Sequence, residues 1–119
     1  MSANDNPSGD AARLAQAQLD AYNALDVDAF VACYHPDVEV FDLHSGEKRF
    51  EGQGVMRERY GAQFERCPDL HAEVVNRIVV GATAVDHEKV VGLVPDEVVE
   101  VIAMYQIEDG LIRRVWFAK

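Results

Sequence analysis

The chain has 119 residues, 49% of them hydrophobic, and its 11 basic and 21 acidic side chains give a formal charge of −10. That length suits one domain with one modest core or pocket, and that charge argues against nucleic acid or an anionic membrane as a partner. Cys33 and Cys67 stand in no metal-like or redox-like spacing, and no apolar run of signal or membrane length appears, so the expected setting is cytoplasmic with two reduced thiols.

Residues 1–10, MSANDNPSGD, are small and polar and read as a disordered tail ahead of a single domain over 11–119. Leu14, Ala17, Ala21 and Leu25 recur at helical spacing, which predicts a helix from Ala11 to about Leu25 with Ser8 or Asp10 as its cap. Asp26 offers an N-cap to a short helix over Val27–Tyr34, and His35-Pro36-Asp37 stops it because proline lacks the helical N–H. Val38–Asp42 alternates as a strand. Leu43–Gly54 reads as loop, with Ser45-Gly46 and Gly52-Gln53-Gly54 as turn signals. A third helix is predicted over Val55–Arg66, striped by Met56, Tyr60 and Phe64 and ended by Cys67-Pro68-Asp69.

Everything after Pro68 reads as sheet, in runs Leu70–Val80, Ala82–Leu93, Val98–Ile107 and Leu111–Ala118. The short spacings between them predict antiparallel pairing, since parallel neighbours need a long crossover. The order ααβαββββ is an α+β pattern, with helices covering one face of a curved sheet.

Within the second of these runs stands an informative residue. Period-two alternation puts His87 on the same face as Val85 and Val91, so an inward Val85 carries His87 and Lys89 inward with it. An imidazole on an inner face can donate, accept or carry a proton. On the first strand Asp42 shares a face with Val40, and His44 joins them if the strand continues. A carboxylate within reach of an imidazole sets its tautomer and raises its pKa, giving an acid–base pair. Asp42 and His87 are therefore the expected reactive pair, with His44 third.

Asp42, His44, His87 and Glu88 also contain metal-ligand chemistry, but no H-x-x-x-H or clustered spacing supports a metal, and none is expected. Tyr22 and Tyr60 lie on helices facing the sheet and are candidate pocket residues. On the third β-run Val101, Ala103, Tyr105 and Ile107 share one face, and Ile102, Met104 and Gln106 the other. A sheet apolar on both faces must cover both. Helices cover one, so the other predicts a partner subunit, with Trp116 and Arg114 on that outer surface. Arg77 is expected to pair with an acidic neighbour.

Several segments in this order resemble the nuclear transport factor 2-like superfamily, in its SnoaL-like and ketosteroid-isomerase-like branch. They are Tyr22-Asn23-Ala24-Leu25-Asp26-Val27-Asp28-Ala29-Phe30 entering Tyr34-His35-Pro36-Asp37-Val38, the Gly52-Gln53-Gly54 start of the third helix, Pro68-Asp69-Leu70-His71, and Tyr105 through Trp116. The resemblance covers about Ala11 to Ala118. It implies a cone-shaped α+β barrel, three N-terminal helices packed on a strongly curved, mostly antiparallel sheet around an apolar pocket. It also implies a homodimer through the outer sheet face.

By the same resemblance Asp42 occupies the place of the general-base aspartate of ketosteroid isomerases. The oxyanion tyrosine's place falls at Gln18 and the protonated aspartate's place at Ala103, so true ketosteroid isomerase activity is not expected. What is expected is a protein that binds a small, largely apolar or carbonyl-containing molecule in the cone, with Asp42 as base and His87 as acid or orienting partner. Gln18 or Tyr22 would supply a hydrogen-bond donor, and Tyr60, Val101, Ala103 and Tyr105 the wall. The chemistry would be cofactor-free isomerisation, cyclisation or dehydration. The alternative is a dimeric binding or accessory protein without turnover, and a hydrolase relative is weaker because it wants a more acidic pocket.

Overall fold

The computed structural model describes residues 7–119. The elements are α1 (Pro7–Asn23), α2 (Val27–Val31), β1 (Tyr34–Asp42), β2 (Lys48–Glu51), α3 (Gln53–Arg66), β3 (His71–Val80), β4 (Thr83–Val91), β5 (Val99–Glu108) and β6 (Leu111–Ala118). The architecture is α+β, with the helices packed on one face of a six-stranded sheet in the order β2-β1-β6-β5-β4-β3. Every neighbouring pair is antiparallel except β1 with β6, which is parallel. Short links make hairpins, as expected from sequence, but β1 and β6 are joined through the whole intervening chain and are free to run the same way.

Of the residues read as a disordered tail, 1–6 lie outside the described residues and Pro7–Asp10 are helical, so the positions expected to cap the helix, Ser8 and Asp10, fall within α1. A proline in the first turn costs little, because its missing N–H has no intrahelical partner there. The helix buries Ala11, Leu14, Ala15, Gln18 and Leu19 at spacings of three and four, which is one face. At its end Asn23 accepts from the Ala72 N–H at 2.8 Å and donates to the Ala72 carbonyl at 2.9 Å, fastening α1 to the start of β3. Asp26 caps α2 by accepting from Ala29 N, as predicted.

The second helix stops at Val31, and Tyr34 through Asp37 belong to β1. Pro36 is tolerated because the β1–β6 register breaks between Tyr34 and Glu39 and β2 pairs only from Glu39 onward, so no ladder bond is lost. Part of the segment read as loop, Lys48–Glu51, is the second strand of the chain, β2, at the sheet edge. In α3 the Gln53 amide donates to the Val31 and Tyr34 carbonyls at 3.1 Å each, setting the helix against the α2–β1 link.

Gly92 needs to be glycine. It ends β4 with φ +77°, and a Cβ there would stand 2.3 Å from the Asp69 carbonyl oxygen. The β5–β6 hairpin turns on Asp109 and Gly110, both at positive φ (55° and 74°), the signature of a type I′ turn.

Bulges at Val75 on β3 and at Arg113 on β6, where the β5 register shifts between Gln106 and Ile107, bend the sheet around the helices. The buried centre combines Val38 and Val40 of β1, Ala84 and Val90 of β4, Ala103 and Tyr105 of β5, and Ile112 and Val115 of β6 with the helix faces. The Val101, Ala103 and Tyr105 face of β5 is thus the inner one, as predicted. Ile102, Met104 and Gln106 face outward, where the Phe41 and Trp116 rings stack at 5.4 Å.

Candidate functional site

Between the helices and the inner sheet face lies a cavity of about 380 Å³, in the size range of small-molecule sites. One wall is aromatic. Tyr22 from α1, Phe30 from α2, Tyr34 from β1 and Tyr60 from α3 all line it, and Phe30 sits 5.0 Å from Tyr34 and 4.5 Å from Tyr60 between ring centroids. The opposite wall comes from the sheet, through Val40, Val90, Val101, Tyr105, Phe117 and Glu88. The exposed members of the lining, His44, Arg49, Arg59 and Lys119, form its solvent-facing rim.

Of the residues expected at the site, Gln18, Tyr22, Tyr60, Val101, Tyr105, Asp42 and His44 line this cavity. Ala103 does not; it is fully buried beneath the wall, paired with Phe117 on one side and Asp86 on the other. Gln18 is buried but occupied: its amide donates to the Ala15 carbonyl at 3.0 Å and its oxygen accepts from the Tyr34 hydroxyl at 3.3 Å. It has little left to give a ligand. The Tyr22 and Tyr60 hydroxyls have no hydrogen-bond partner among the described residues. Burial pushes both phenols up, Tyr60 to about 12 and Tyr22 further, so both stay protonated donors at neutral pH.

Asp42 and His87 are not brought together. His87 points to the outer face, where its Nε2 lies 2.6 Å from Glu100 Oε2, and Lys89 is exposed with it. The inward residues of β4 are the other set, Ala84, Asp86, Glu88 and Val90. The alternation was read correctly but assigned to the wrong face, because Asp86 is neutralised from the next strand. Arg77 of β3 holds it in a forked pair, Nε to Oδ1 at 2.6 Å and Nη2 to Oδ2 at 3.0 Å, and reaches Gln16 of α1 at 3.0 Å. His44 sits in the turn after β1 and touches both the inner cavity and an outer hollow that His87 lines.

Asp42 ends β1 facing the rim. It accepts from Ser45 N at 2.9 Å and pairs with Arg49 at 2.5 Å. The Ser45 backbone bond first, and the Arg49 bond second, pull its pKa down to about 2. A carboxylate so held is a weak base.

Glu88, which alternates with His87 along β4, occupies the inner wall instead. It is 8% exposed, and burial, reinforced by the nearby Asp86 charge, pushes its pKa up to about 7. The Tyr105 hydroxyl, 3.5 Å from Glu88 Oε2, opposes this weakly. Glu88 and Tyr105 are thus neighbours across adjacent strands with Val101 directly opposite Glu88. Parity with Tyr105 is a signal of Glu88's orientation, but using it requires the β4–β5 register, which a seven-residue link between Val91 and Val99 does not fix.

The sequence profile of the SnoaL-like domain matches residues 15–115. The chain belongs to the SnoaL-like family. Among solved structures, this SnoaL-like protein is similar to an uncharacterized cystatin-fold protein from Novosphingobium aromaticivorans, with 32% identity and a TM-score of 0.81 over 90% of this chain and 96% of that one. A provisionally assigned polyketide cyclase from Sinorhizobium meliloti shares 26% identity at a TM-score of 0.77, covering 93% of this chain and 98% of its own. A provisionally assigned ketosteroid isomerase from Kribbella flavida shares 20% identity at 0.80, over 94% and 78%, a likeness of fold alone. No curated protein matches. Among the described residues no helix of this SnoaL-like protein is long and apolar enough to cross a membrane, and no cluster of ligating side chains suited to a metal ion is found.

Proposed function

We propose that this SnoaL-like protein binds a small, largely apolar carbonyl compound in the cone and moves a proton on it without a cofactor, an isomerase- or cyclase-type reaction. One observation carries the reading: a single carboxyl, Glu88, stands on the inner wall of an aromatic cavity with its pKa near 7. A group poised there is half ionised at neutrality and serves equally as base and acid. Glu88 would take the proton alpha to the carbonyl and return it at the product position. The free Tyr22 and Tyr60 hydroxyls would donate to the oxygen as negative charge develops on it. The provisional names of the cyclase and isomerase relatives are consistent with such chemistry. Asp42, ionised and tied to Arg49, would shape the rim, and His87 would lie outside the reaction. The cytoplasm is the compartment we infer, since neither thiol is paired.

The test is deuterium exchange alpha to the carbonyl of α-tetralone in heavy water, followed by NMR. The parent should accelerate exchange over buffer, and Glu88→Gln should lose about 10²-fold or more of that acceleration while still binding the ketone. Binding without any acceleration by the parent would favour the non-catalytic alternative.

We also propose a homodimer through the outer face. Phe41, Trp116, Met104, Val85 and Ile78 lie side by side in one register row across five strands, and Ile78 is 56% exposed. Light scattering should give the mass of two chains, and Val85→Lys the mass of one.

A further inference from the structure

The cavity has a charge the rest of the molecule does not. On a chain of formal charge −10, its rim carries Arg49, Arg59 and Lys119. Arg49 is matched by Asp42. The basic side chains with no ion pair among the described residues are Arg59, Arg66, Lys89 and Lys119. Two of these, Arg59 and Lys119, line the cavity. With so many acidic side chains available, two side-chain cations left unmatched at the exposed rim make the mouth, and not the buried Glu88 wall, a local well for negative charge.

A second observation lies on the same helix face. Gln63 follows Arg59 by four residues in α3, one turn on, and also lines the cavity. Its Oε1 is buried with no hydrogen-bond partner. Buried polar atoms are nearly always paired, so this one marks a place where a donor belongs. Arg59 is meanwhile steadied over the Phe50 ring, 4.7 Å from its centroid, which leaves the edges of its guanidinium free to donate.

We propose that the ligand is a small amphipathic organic acid: an apolar ring body against the Tyr22–Phe30–Tyr60 wall, its carboxylate on Arg59 and Lys119, and a hydroxyl or N–H on Gln63. This rests on the reading that the cone takes a small apolar molecule, and it names the class. Glu88 fixes the direction of entry. A carboxylate next to Glu88 would meet a second acid, whereas at the rim it meets two cations, so the apolar body points inward and carries the reacting carbon towards Glu88.

Isothermal titration with a matched pair of probes, 1-naphthylacetate and its methyl ester, tests this on the full chain. The acid should bind about tenfold tighter than the ester at low salt. Arg59→Gln with Lys119→Gln should erase that advantage and leave the ester unchanged. Arg66→Gln removes one charge, half of what the double variant removes, from the same helix as Arg59 but away from the cavity, and it should change neither probe. An ester that binds as well as the acid, or an Arg66→Gln loss as large as the double variant's, overturns the proposal while the cavity reading stands. If neither probe binds, both fall.

Discussion

Two arginine–aspartate pairs stand at opposite ends of one register row across the inner face. The row runs Asp42, Phe117, Ala103, Asp86, Arg77 through β1, β6, β5, β4 and β3. At one end Asp86 is fully buried and Arg77 only 19% exposed; at the other Asp42 is 23% exposed and Arg49 54%. The chemistry is the same and the surroundings are not. The buried pair is gripped by two bonds plus Gln16 and brackets α1 to the sheet. The rim pair is screened by solvent and adds little to stability, but it keeps Asp42 ionised. Glu88 lies two residues from Asp86 on the same face and has no cation of its own. Cation placement therefore sorts three carboxyls into a bracket, a fixed rim charge and a group whose pKa burial raises to about 7.

Breaking the buried end should cost most. Asp86→Asn leaves the Arg77 charge uncompensated, and removing one partner of a buried pair typically costs on the order of 3 kcal/mol. Chemical denaturation should show that loss, and a change below about 1 kcal/mol would mean that the bracket is ornamental.

Glu88→Gln should act with the opposite sign. The folded-state pKa of Glu88, about 7, lies above its ordinary value of 4.5. Between those values the folded chain keeps a proton that the unfolded chain releases, so this group's contribution to stability falls as pH rises across the window and is flat outside it. The full span is about 3 kcal/mol. The variant should therefore overtake the parent as pH climbs from 4.5 to 7, with the gap constant above. Parallel stability curves for the two proteins over that range would show that Glu88 is not desolvated.

These distinctions were only partly legible in the sequence. Helices and hairpins could be read because their periodicities and turn residues are local, whereas β5 is apolar on both faces and its Val101, Ala103 and Tyr105 side was placed inward with the resemblance. The strand β2 could not be read, since Lys48-Arg49-Phe50-Glu51 has one apolar residue and pairs only along its β1 side. The inner face of β4 was misread for a deeper reason. Both of its faces carry valines, and the buried one also carries Asp86 and Glu88, a pattern that normally marks the solvent side. Only the arrival of Arg77 from β3 makes burial of Asp86 affordable, and cross-strand neighbours are not written in the local pattern. Asp42 was found by resemblance, but its partner Arg49 lies in the unrecognised strand. Hence its low basicity could not be read either.

The smallest effect is the sharpest test of which carboxyl carries the proton. Arg49→Gln removes the second of the two main causes that hold Asp42 near 2 and leaves the larger one, the Ser45 N–H bond. The Asp42 carboxyl resonance should therefore titrate higher than in the parent yet still below its ordinary value of 3.8. Stability that Asp42 contributes above its ordinary pKa is lost as pH falls through the folded value, so the acid limb of the unfolding curve should move slightly upward. Proton exchange on the ketone should be unchanged, because Glu88 is untouched. A faster exchange in Arg49→Gln would show that a more basic Asp42 is the better base, and would return the role to the rim.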